Sequence, residues 1–219
     1  MADLKNKQIR DSYMDVLTKG TGTAIEDGDG NAFIGAIVNN LTSTATNAPL
    51  SANQGRVLAK ELTTDYDMWY LTTQFSGNAL PITDNLARNN KIASFKKGDG
   101  MSQASGIFTF PQTGLWEIKF VAHKFLTQNE SSRFVSNRIE ITLNNSVYNI
   151  VTEGFGNLYP ENANVPTTVI SDYTFNVTDV DNQKVRFGTS SDNANVVTSD
   201  PNGDSIRTYM TFKRIGDSV

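Results

Sequence analysis

The chain has 219 residues, which predicts one large domain or one domain with an appendage. Only 19% of the residues are charged, the formal net charge is −4 and the cations are dispersed, which argues against a nucleic-acid interface and a polybasic membrane signal. Cysteine is absent, so disulfide frameworks, thiolate metal sites and cysteine nucleophiles are excluded. Roughly 29% of the residues are Asn, Thr or Ser, so we expect a surface of amides and hydroxyls.

Residues 1–48 lack a sustained apolar period and are rich in turn-forming residues. The first ten residues alternate polar and charged side chains, so we expect neither a signal peptide nor a transmembrane start, and a product made in the cytoplasm. Two short apolar runs, at 13–17 and 33–38, could each form a short strand. Such a segment cannot offset its ordering entropy by itself, so we interpret it as an arm that docks on other chains.

Residues 49–66 carry the pattern of an amphipathic helix. Ser51 stands three residues before Gln54, which is the spacing of a capping box. Apolar residues then recur on one helical stripe: Val57, Leu58, Leu62 and Tyr66. A helix of about four turns is marginal alone. Its apolar face must therefore pack on the following domain or on copies of itself around an axis.

From Asp67 onward the hydrophobic period is two, which predicts half-buried strands. Each predicted strand has one apolar face: Trp116, Ile118, Phe120 and Ala122; Ile139, Ile141 and Leu143; Tyr173, Phe175 and Val177; Val185 and Phe187; Ile206, Thr208, Met210 and Phe212. Turn signals separate these strands, at 112–114, 143–145, 179–182 and 201–204. Several short antiparallel strands without intervening helices predict a sandwich or jelly roll.

The sequence offers little for catalysis or metal binding. The single histidine, His123, lies on the Glu117 and Lys119 side of its strand, and we expect a structural or solvent-facing role for it. Acids cluster in pairs beside Gly, Asn or Pro, where Asx turns are the favoured reading and calcium held by loop oxygens is the alternative: Asp27 and Asp29, Asp179 and Asp181, Asp200 and Asp204. No nucleotide-binding motif is present. We therefore expect no cofactor, no metal site and no catalytic residue.

Residues 106–123 resemble the strongest motif of the C1q/TNF-like jelly-roll family, an aromatic strand that passes through a Pro-x-x-Gly turn into a second aromatic strand. The matching positions are Phe108, Phe110, Pro111, Gly114, Trp116 and Phe120. Residues 137–148 are similar to a hairpin of that family, and residues 205–215 occupy the place of its closing strand. The usual Gly-Phe pair is missing there and Leu115 stands where Tyr is common, so no ligand or receptor of the animal members is implied. The resemblance covers about residues 69–216 and implies a mainly β, antiparallel jelly-roll head.

The front of the chain resembles fibre proteins of tailed bacteriophages. Residues 4–17, the turn at 26–31 and the run at 33–38 are similar to virion-anchoring arms, and residues 50–58 are similar to the Leu-Ser-Ala-x-Gln-Gly helix of tail fibres, where three copies meet about an axis. The resemblance implies three parts: an extended arm at 1–48, a short trimerisation helix at 49–66 and a C1q-like head at 67–219. It also implies a trimer contact through Val57, Leu58 and Leu62, and virion docking through Ile9, Tyr13, Leu17, Phe33 and Ile34.

The expected function is mechanical and adhesive. A homotrimeric virion fibre, assembled in the host cytoplasm, would bind other virion proteins through its arm and touch host-surface glycans or proteins with its head, without nucleic-acid partners or membrane insertion. We place the contact loops around 126–133, 154–165 and 190–204, with four candidate residues: Phe155, Tyr159, Asn193 and Asn202. Two alternatives remain open: a non-adhesive connecting fibre whose head only trimerises, and, less favoured, a polysaccharide hydrolase with two opposed carboxylates.

Overall fold

The computed structural model describes residues 65–91, 96–126, 129–160, 165–203 and 205–219, together with Gly55 and three short strands upstream. The chain divides into two compact units, Met1–Thr63 and Thr64–Val219, and each is described by itself. In the first unit, β1 (Thr18–Lys19), β2 (Ile25–Glu26) and β3 (Ala32–Ile34) pair in that order as an antiparallel sheet.

The first unit contains most of the arm and helix residues named above. Phe33 and Ile34 belong to β3, so the run predicted as a strand at 33–38 forms one at its start. Gly55 is helical and is the one described residue of the predicted helix before Asp65. The other predicted contact residues of this part lie outside the described residues: Ile9, Tyr13, Leu17, Val57, Leu58 and Leu62.

Tyr66 corrects the predicted end of the helix. It is the first residue of a strand, where it pairs with Lys213 and its backbone N–H donates to the carbonyl of Lys97 at 3.0 Å. The expectation that it continues the helical stripe is wrong, because pairing with a strand almost 150 residues away outweighs the local 3.6-residue spacing.

The described residues of the second unit form twelve strands in two antiparallel sheets. Its strands are β4 (Tyr66–Leu71), β5 (Phe75–Ser76), β6 (Leu86–Arg88), β7 (Ser102–Ala104), β8 (Ile107–Thr109), β9 (Gly114–Leu126), β10 (Ser132–Thr142), β11 (Tyr148–Leu158), β12 (Val165–Val177), β13 (Lys184–Ser191), β14 (Val197–Thr198) and β15 (Tyr209–Gly216). One sheet has five strands in the order β11-β10-β13-β8-β7. In the other, of seven strands, β9 pairs with β12 along one side and with β15 and β14 along the other. The predicted mainly β, jelly-roll class is confirmed for this unit.

The core lies between the two sheets, where the predicted alternation is largely observed. Trp116, Ile118 and Phe120 of β9 are fully buried, and the rings of Phe108, Phe187 and Phe212 pack against one another at centroid distances of 5.1–5.8 Å. Two predicted ends are wrong. Leu143 is 62% exposed because β10 stops at Thr142 and the hairpin turn begins, and Ile206 and Thr208 precede β15 instead of opening it.

The predicted turn at 112–114 depends on its glycine. Gly114 has a φ of +147°, which side-chain-bearing residues rarely adopt. A Cβ at this position would lie 2.4 Å from Nε of Arg214 and 2.7 Å from the carbonyl oxygen of Gly216. The Pro-x-x-Gly spacing thus reflects close packing of β9 against the end of β15.

The strand directions give this unit a proximal and a distal end. At the proximal end the chain enters at Tyr66, whose partner Lys213 pairs with Glu117 near the start of β9. The C-terminal residue Val219 lies there too, since its carbonyl accepts a hydrogen bond from Nδ2 of Asn176 at 2.6 Å. The loops that follow β9, β11 and β13 lie at the opposite, distal end, because the last residues of these strands pair near the starts of β12 and β10.

Candidate functional site

The three segments predicted as contact loops all reach the distal end, but one of them is partly strand. Residues 154–158 complete β11, so Phe155 is a strand residue and its placement in a loop is wrong. The reason is its pairing with Ser136 of β10, which extends the ladder beyond the polar and glycine residues that suggested a loop. The loop itself begins at Tyr159.

A row of exposed side chains follows the outer face of β11 near its distal end. Phe155 is 66% exposed, Tyr159 is 65% exposed, and Asn157 lies exposed between them on the same face. Nδ2 of Asn157 donates to the hydroxyl oxygen of Tyr159 at 2.7 Å, which orients the ring. We name these three residues the β11 row. Because the rings of Phe155 and Tyr159 are largely exposed, their faces are accessible for stacking.

A groove of about 350 Å³ lies beside the β11 row. It is lined by Ser131, Ser132, Arg133, Asn157, Leu158, Tyr159 and Pro160. The charge of Arg133 is neutralised by Asp192, with Nε and Oδ2 2.7 Å apart, and the hydroxyl of Ser132 donates to Oδ1 of Asp192 at 2.6 Å. This distal groove is therefore polar without a net charge from that pair.

The carboxyl group beside the distal groove is unsuited to proton donation. Hydrogen bonds from Ser132 and then from Arg133 lower the pKa of Asp192 to about 2. A general acid in glycoside hydrolysis needs a raised pKa, and Asp192 stays ionised at neutral pH. Asp192 therefore does not suit the role of general acid in such a reaction.

Asn193 lies at the distal end, where its side chain links two loops. Its Nδ2 donates to Oε2 of Glu130 at 3.3 Å and to the carbonyl of Ser131 at 3.0 Å, and its Oδ1 accepts from the backbone N–H of Asn195 at 2.9 Å. These bonds hold the segment after β9 against the segment after β13. The predicted contact through Asn193 remains a prediction for a side chain that already has three partners.

Asn202 is exposed in a tight turn. Its backbone N–H and carbonyl both bond to Ser205, at 3.0 and 3.1 Å, and Nζ of Lys91 donates to the neighbouring carbonyl of Gly203 at 3.0 Å. The residue that contacts this turn, Lys91, belongs to the segment after β6. The distal groove is instead lined by the segments after β9 and β11. Asn202 therefore does not line the groove with Tyr159.

Arg133, Asn157 and Asp192 lie within the predicted contact segments, but sequence reasoning did not single them out. Asn157 could have been found, because it continues the alternation of Phe155 and Tyr159. The pair of Arg133 and Asp192 joins residues 59 positions apart, and no local pattern marks it.

The acidic turns are predicted as Asx turns, with calcium sites as the alternative. Asp179 makes the predicted Asx turn, with Oδ1 accepting from the backbone N–H groups of Asp181 at 3.0 Å and Asn182 at 3.2 Å. Within the described ranges no group of three or more His, Cys, Asp or Glu side chains is placed to hold a metal ion. No helix in that part of the chain is long and apolar enough to cross a bilayer.

The outer face of the seven-stranded sheet carries an apolar row across four adjacent strands. Ile170, Val121, Tyr209 and Tyr70 lie side by side in register on β12, β9, β15 and β4. Ile170 is 54% exposed and Tyr209 is half-buried, whereas Val121 and Tyr70 are each only 6% exposed. In the next row Asp172 lies opposite Lys119, which places opposite charges beside the apolar row. We name the apolar set the β12–β4 row.

Comparison with known proteins finds a similarity for two parts of the chain. Residues 37–68 match the family described as phage tail fiber repeats, and no curated protein sequence matches the chain. The structure of Eiger TNF from S. frugiperda aligns with a TM-score of 0.52 and 10% identity, over 72% of this chain and 96% of that one. Murine APRIL at pH 5.0 aligns with a TM-score of 0.48 and 9% identity, over 69% and 99%. The recognition of both resemblances is confirmed: the chain carries a match to phage tail fibre repeats followed by a TNF-like jelly roll.

Proposed function

We propose that the chain is a homotrimeric fibre of a tailed-phage virion, anchored through its N-terminal arm and presenting its head to the host surface. The order of parts carries this proposal: residues that match tail fibre repeats come directly before the TNF-like head. The chain enters the head at the proximal end, whereas the β11 row and the distal groove lie toward the other end. A head held in this way exposes its aromatic side chains away from its attachment.

Attachment would depend on stacking and polar contacts. Phe155 and Tyr159 supply exposed aromatic faces, and Asn157 and the pair of Arg133 and Asp192 supply donors and acceptors beside them. Single sites of this kind are weak, since a shallow site buries little ligand surface. Three linked heads on one fibre, and several fibres on one particle, raise the overall affinity without further contacts.

Trimerisation would use the helix and the head together. The stripe of Val57, Leu58 and Leu62 is short for independent stability, so it needs copies of itself or another surface. The exposed part of the β12–β4 row, at Ile170 and Tyr209, supplies a second apolar surface with opposite charges beside it, which suits contact between copies of the head.

Binding of the purified full-length chain to host cells and to an array of bacterial surface glycans tests the attachment role. We expect Tyr159→Ala to weaken binding about tenfold or more, because one lost stacking contact of about 1 kcal/mol is multiplied over three heads. Leu143→Ala is the matched control, since Leu143 is 62% exposed and lies in the β10–β11 hairpin at the proximal end. Equal losses in both variants would contradict a distal site. Reproducible absence of binding by the wild type would reject attachment in favour of a connecting fibre.

A further inference from the structure

We infer that a second pocket, lined by His123, Phe125, Pro166 and Arg207, binds an anionic group carried on a sugar ring. The pocket lies on the outer face of the seven-stranded sheet at its distal end, two residues beyond Val121 and Tyr209 of the β12–β4 row. Ligand entry therefore requires that the proposed contact between copies of the head leaves this end of the face open. It is separate from the distal groove, with which it shares no lining residue. Binding to this pocket can be measured with free sugars, whether or not the head attaches to a host.

Three chain segments build the pocket. His123 and Phe125 lie two residues apart, so they share one face of β9, and Pro166 is the register partner of Phe125 on β12. Arg207 comes from the segment just before β15. The pocket encloses about 260 Å³, which is below the lower limit of roughly 300 Å³ for drug-sized sites. Its size therefore suits one ring and its substituent.

Arg207 differs from the other arginines of the described head. Each of the others has a carboxylate partner: Arg88 with Asp67, Arg133 with Asp192, Arg138 and Arg186 with Glu140, and Arg214 with Asp217. Arg207 is half-buried and has no ion pair or hydrogen bond among the described residues. A partly desolvated guanidinium without a counter-charge gains most from an anion that enters beside it.

The charge of Arg207 affects the protonation of His123. His123 and Arg207 both line the pocket. Burial first, and then the positive charge of Arg207, lower the pKa of His123. Oγ of Ser199 lies 3.0 Å from Nδ1 of His123, so Nε2 is the ring nitrogen without a hydrogen-bond partner among the described residues. Thr168 is the register partner of His123, and the nearest charges in register on this face, Lys119 and Asp172, oppose each other. The charge of Arg207 is therefore uncompensated by these neighbours.

These contacts define the ligand by its chemistry. A guanidinium binds a carboxylate or a phosphate through two parallel hydrogen bonds, and an imidazole adds a third donor. Phe125 and Pro166 supply apolar walls against which the face of a sugar ring can pack. Uronic acids and sugar phosphates share this combination of an anionic group and a ring.

The only histidine of the chain provides a direct readout, because untagged protein gives one set of imidazole resonances. We would titrate the full-length protein by NMR with pH in the presence of glucuronate, glucose 6-phosphate or glucose. Either anionic sugar is expected to raise the pKa of His123 by about half a unit or more, and neutral glucose is not. A response to one anionic sugar alone identifies the carboxylate or the phosphate as the preferred group.

Substitution of Arg207 separates this pocket from non-specific effects. Arg207→Gln is expected to raise the pKa of His123 in the free protein and to remove the response to both anions. Arg207→Lys keeps the positive charge but loses the planar guanidinium with its two parallel donors, so the pKa of His123 should shift only weakly with the anionic sugars. Arg133→Gln, which removes an arginine at the distal groove, is the control and should keep the full response.

Three results would overturn the inference. The first is no change of the His123 pKa with either anionic sugar. The second is an unchanged response in Arg207→Gln. The third is an equal response to acetate and inorganic phosphate at the same concentrations, which would remove the requirement for a sugar ring.

Discussion

At the scale of single residues, Lys124 is the most unusual group in the head. It is 1% exposed, and Nζ donates to the carbonyls of Ser136 at 2.6 Å and Ser190 at 3.4 Å, which belong to the opposite sheet. Desolvation by burial lowers its pKa from 10.5 to about 7. The side chain therefore joins the two sheets through backbone acceptors. The free energy of burying it is less favourable when the amine is protonated.

Lys124 should make the stability of the head depend on pH. In the unfolded chain the lysine stays protonated up to about pH 10, so between pH 7 and 10 the unfolded state binds more protons, and the free energy of unfolding rises with pH. Lys124→Met has no such group. We expect the stability of the wild type relative to this variant to increase by about 2 kcal/mol from pH 7 to pH 9. Urea unfolding at a series of pH values and fixed protein concentration measures it.

Lys213→Met is the matched control for this experiment. Lys213 is an exposed lysine on β15, and its replacement should give a curve parallel to that of the wild type. If Lys124→Met also runs parallel to the wild type between pH 7 and pH 9, the buried lysine does not titrate in this window and the prediction fails.

The residues show which parts of the head the sequence could predict. Trp116 and Phe120 were placed correctly because alternation is a local property of a strand. Lys124 continues the same inward alternation, but its burial depends on carbonyls 12 and 66 residues away. The exposure of Tyr159 follows from its polar surroundings, whereas the groove beside it depends on Asp192, which reaches Arg133 only through the fold. Local pattern thus predicts faces, and long-range contacts form sites.

At the scale of elements, β11 and β12 approach closely where the sandwich closes. Asn137 of β10 lies fully buried between the sheets, and its Nδ2 donates to the carbonyls of Phe120 at 3.1 Å and Val169 at 2.8 Å. Its Oδ1 accepts from the hydroxyl of Ser171 at 2.7 Å. Gly154 is the register partner of Asn137 on β11, so the absence of a side chain there leaves room for this polar bridge between the sheets.

Gly154→Ala should therefore destabilise the head. An added Cβ would lie 2.2 Å from the carbonyl oxygen of Ile170 and 3.0 Å from Oδ1 of Asn137, so the backbone of β12 must move. We expect a loss of about 2–3 kcal/mol in the free energy of unfolding, which chemical denaturation measures.

Gly216→Ala provides the comparison at the end of β15, where a Cβ would meet nothing within 4 Å. Its effect should stay within about 0.5 kcal/mol of the wild type. Similar stability of the two alanine variants would show that β11 and β12 can move apart freely. The close approach would then contribute nothing measurable to the free energy of unfolding.

At the scale of the whole molecule, the two faces of the head differ in what they expose. The outer face of the seven-stranded sheet exposes Ile170 and part of Tyr209 from the β12–β4 row, with charges of opposite sign in the next row. The outer face of β11, in the five-stranded sheet, carries the β11 row toward the distal end. An apolar face for copies of the chain and an aromatic edge for a ligand can operate together, because they lie on different sheets.

The oligomeric state of the chain is a prediction at this scale. Light scattering on the purified full-length chain should give about 72 kDa, three times the 24.0 kDa of one chain. Ile170→Arg places a charge in the β12–β4 row, so three copies would bring three buried cations together, and we expect dissociation at concentrations where the wild type stays trimeric. Ile150→Arg is the matched control, since Ile150 on β11 is 50% exposed against 54% for Ile170. A monomeric wild type would reject the trimer, and equal behaviour of the two variants would locate any contact between heads away from the seven-stranded sheet.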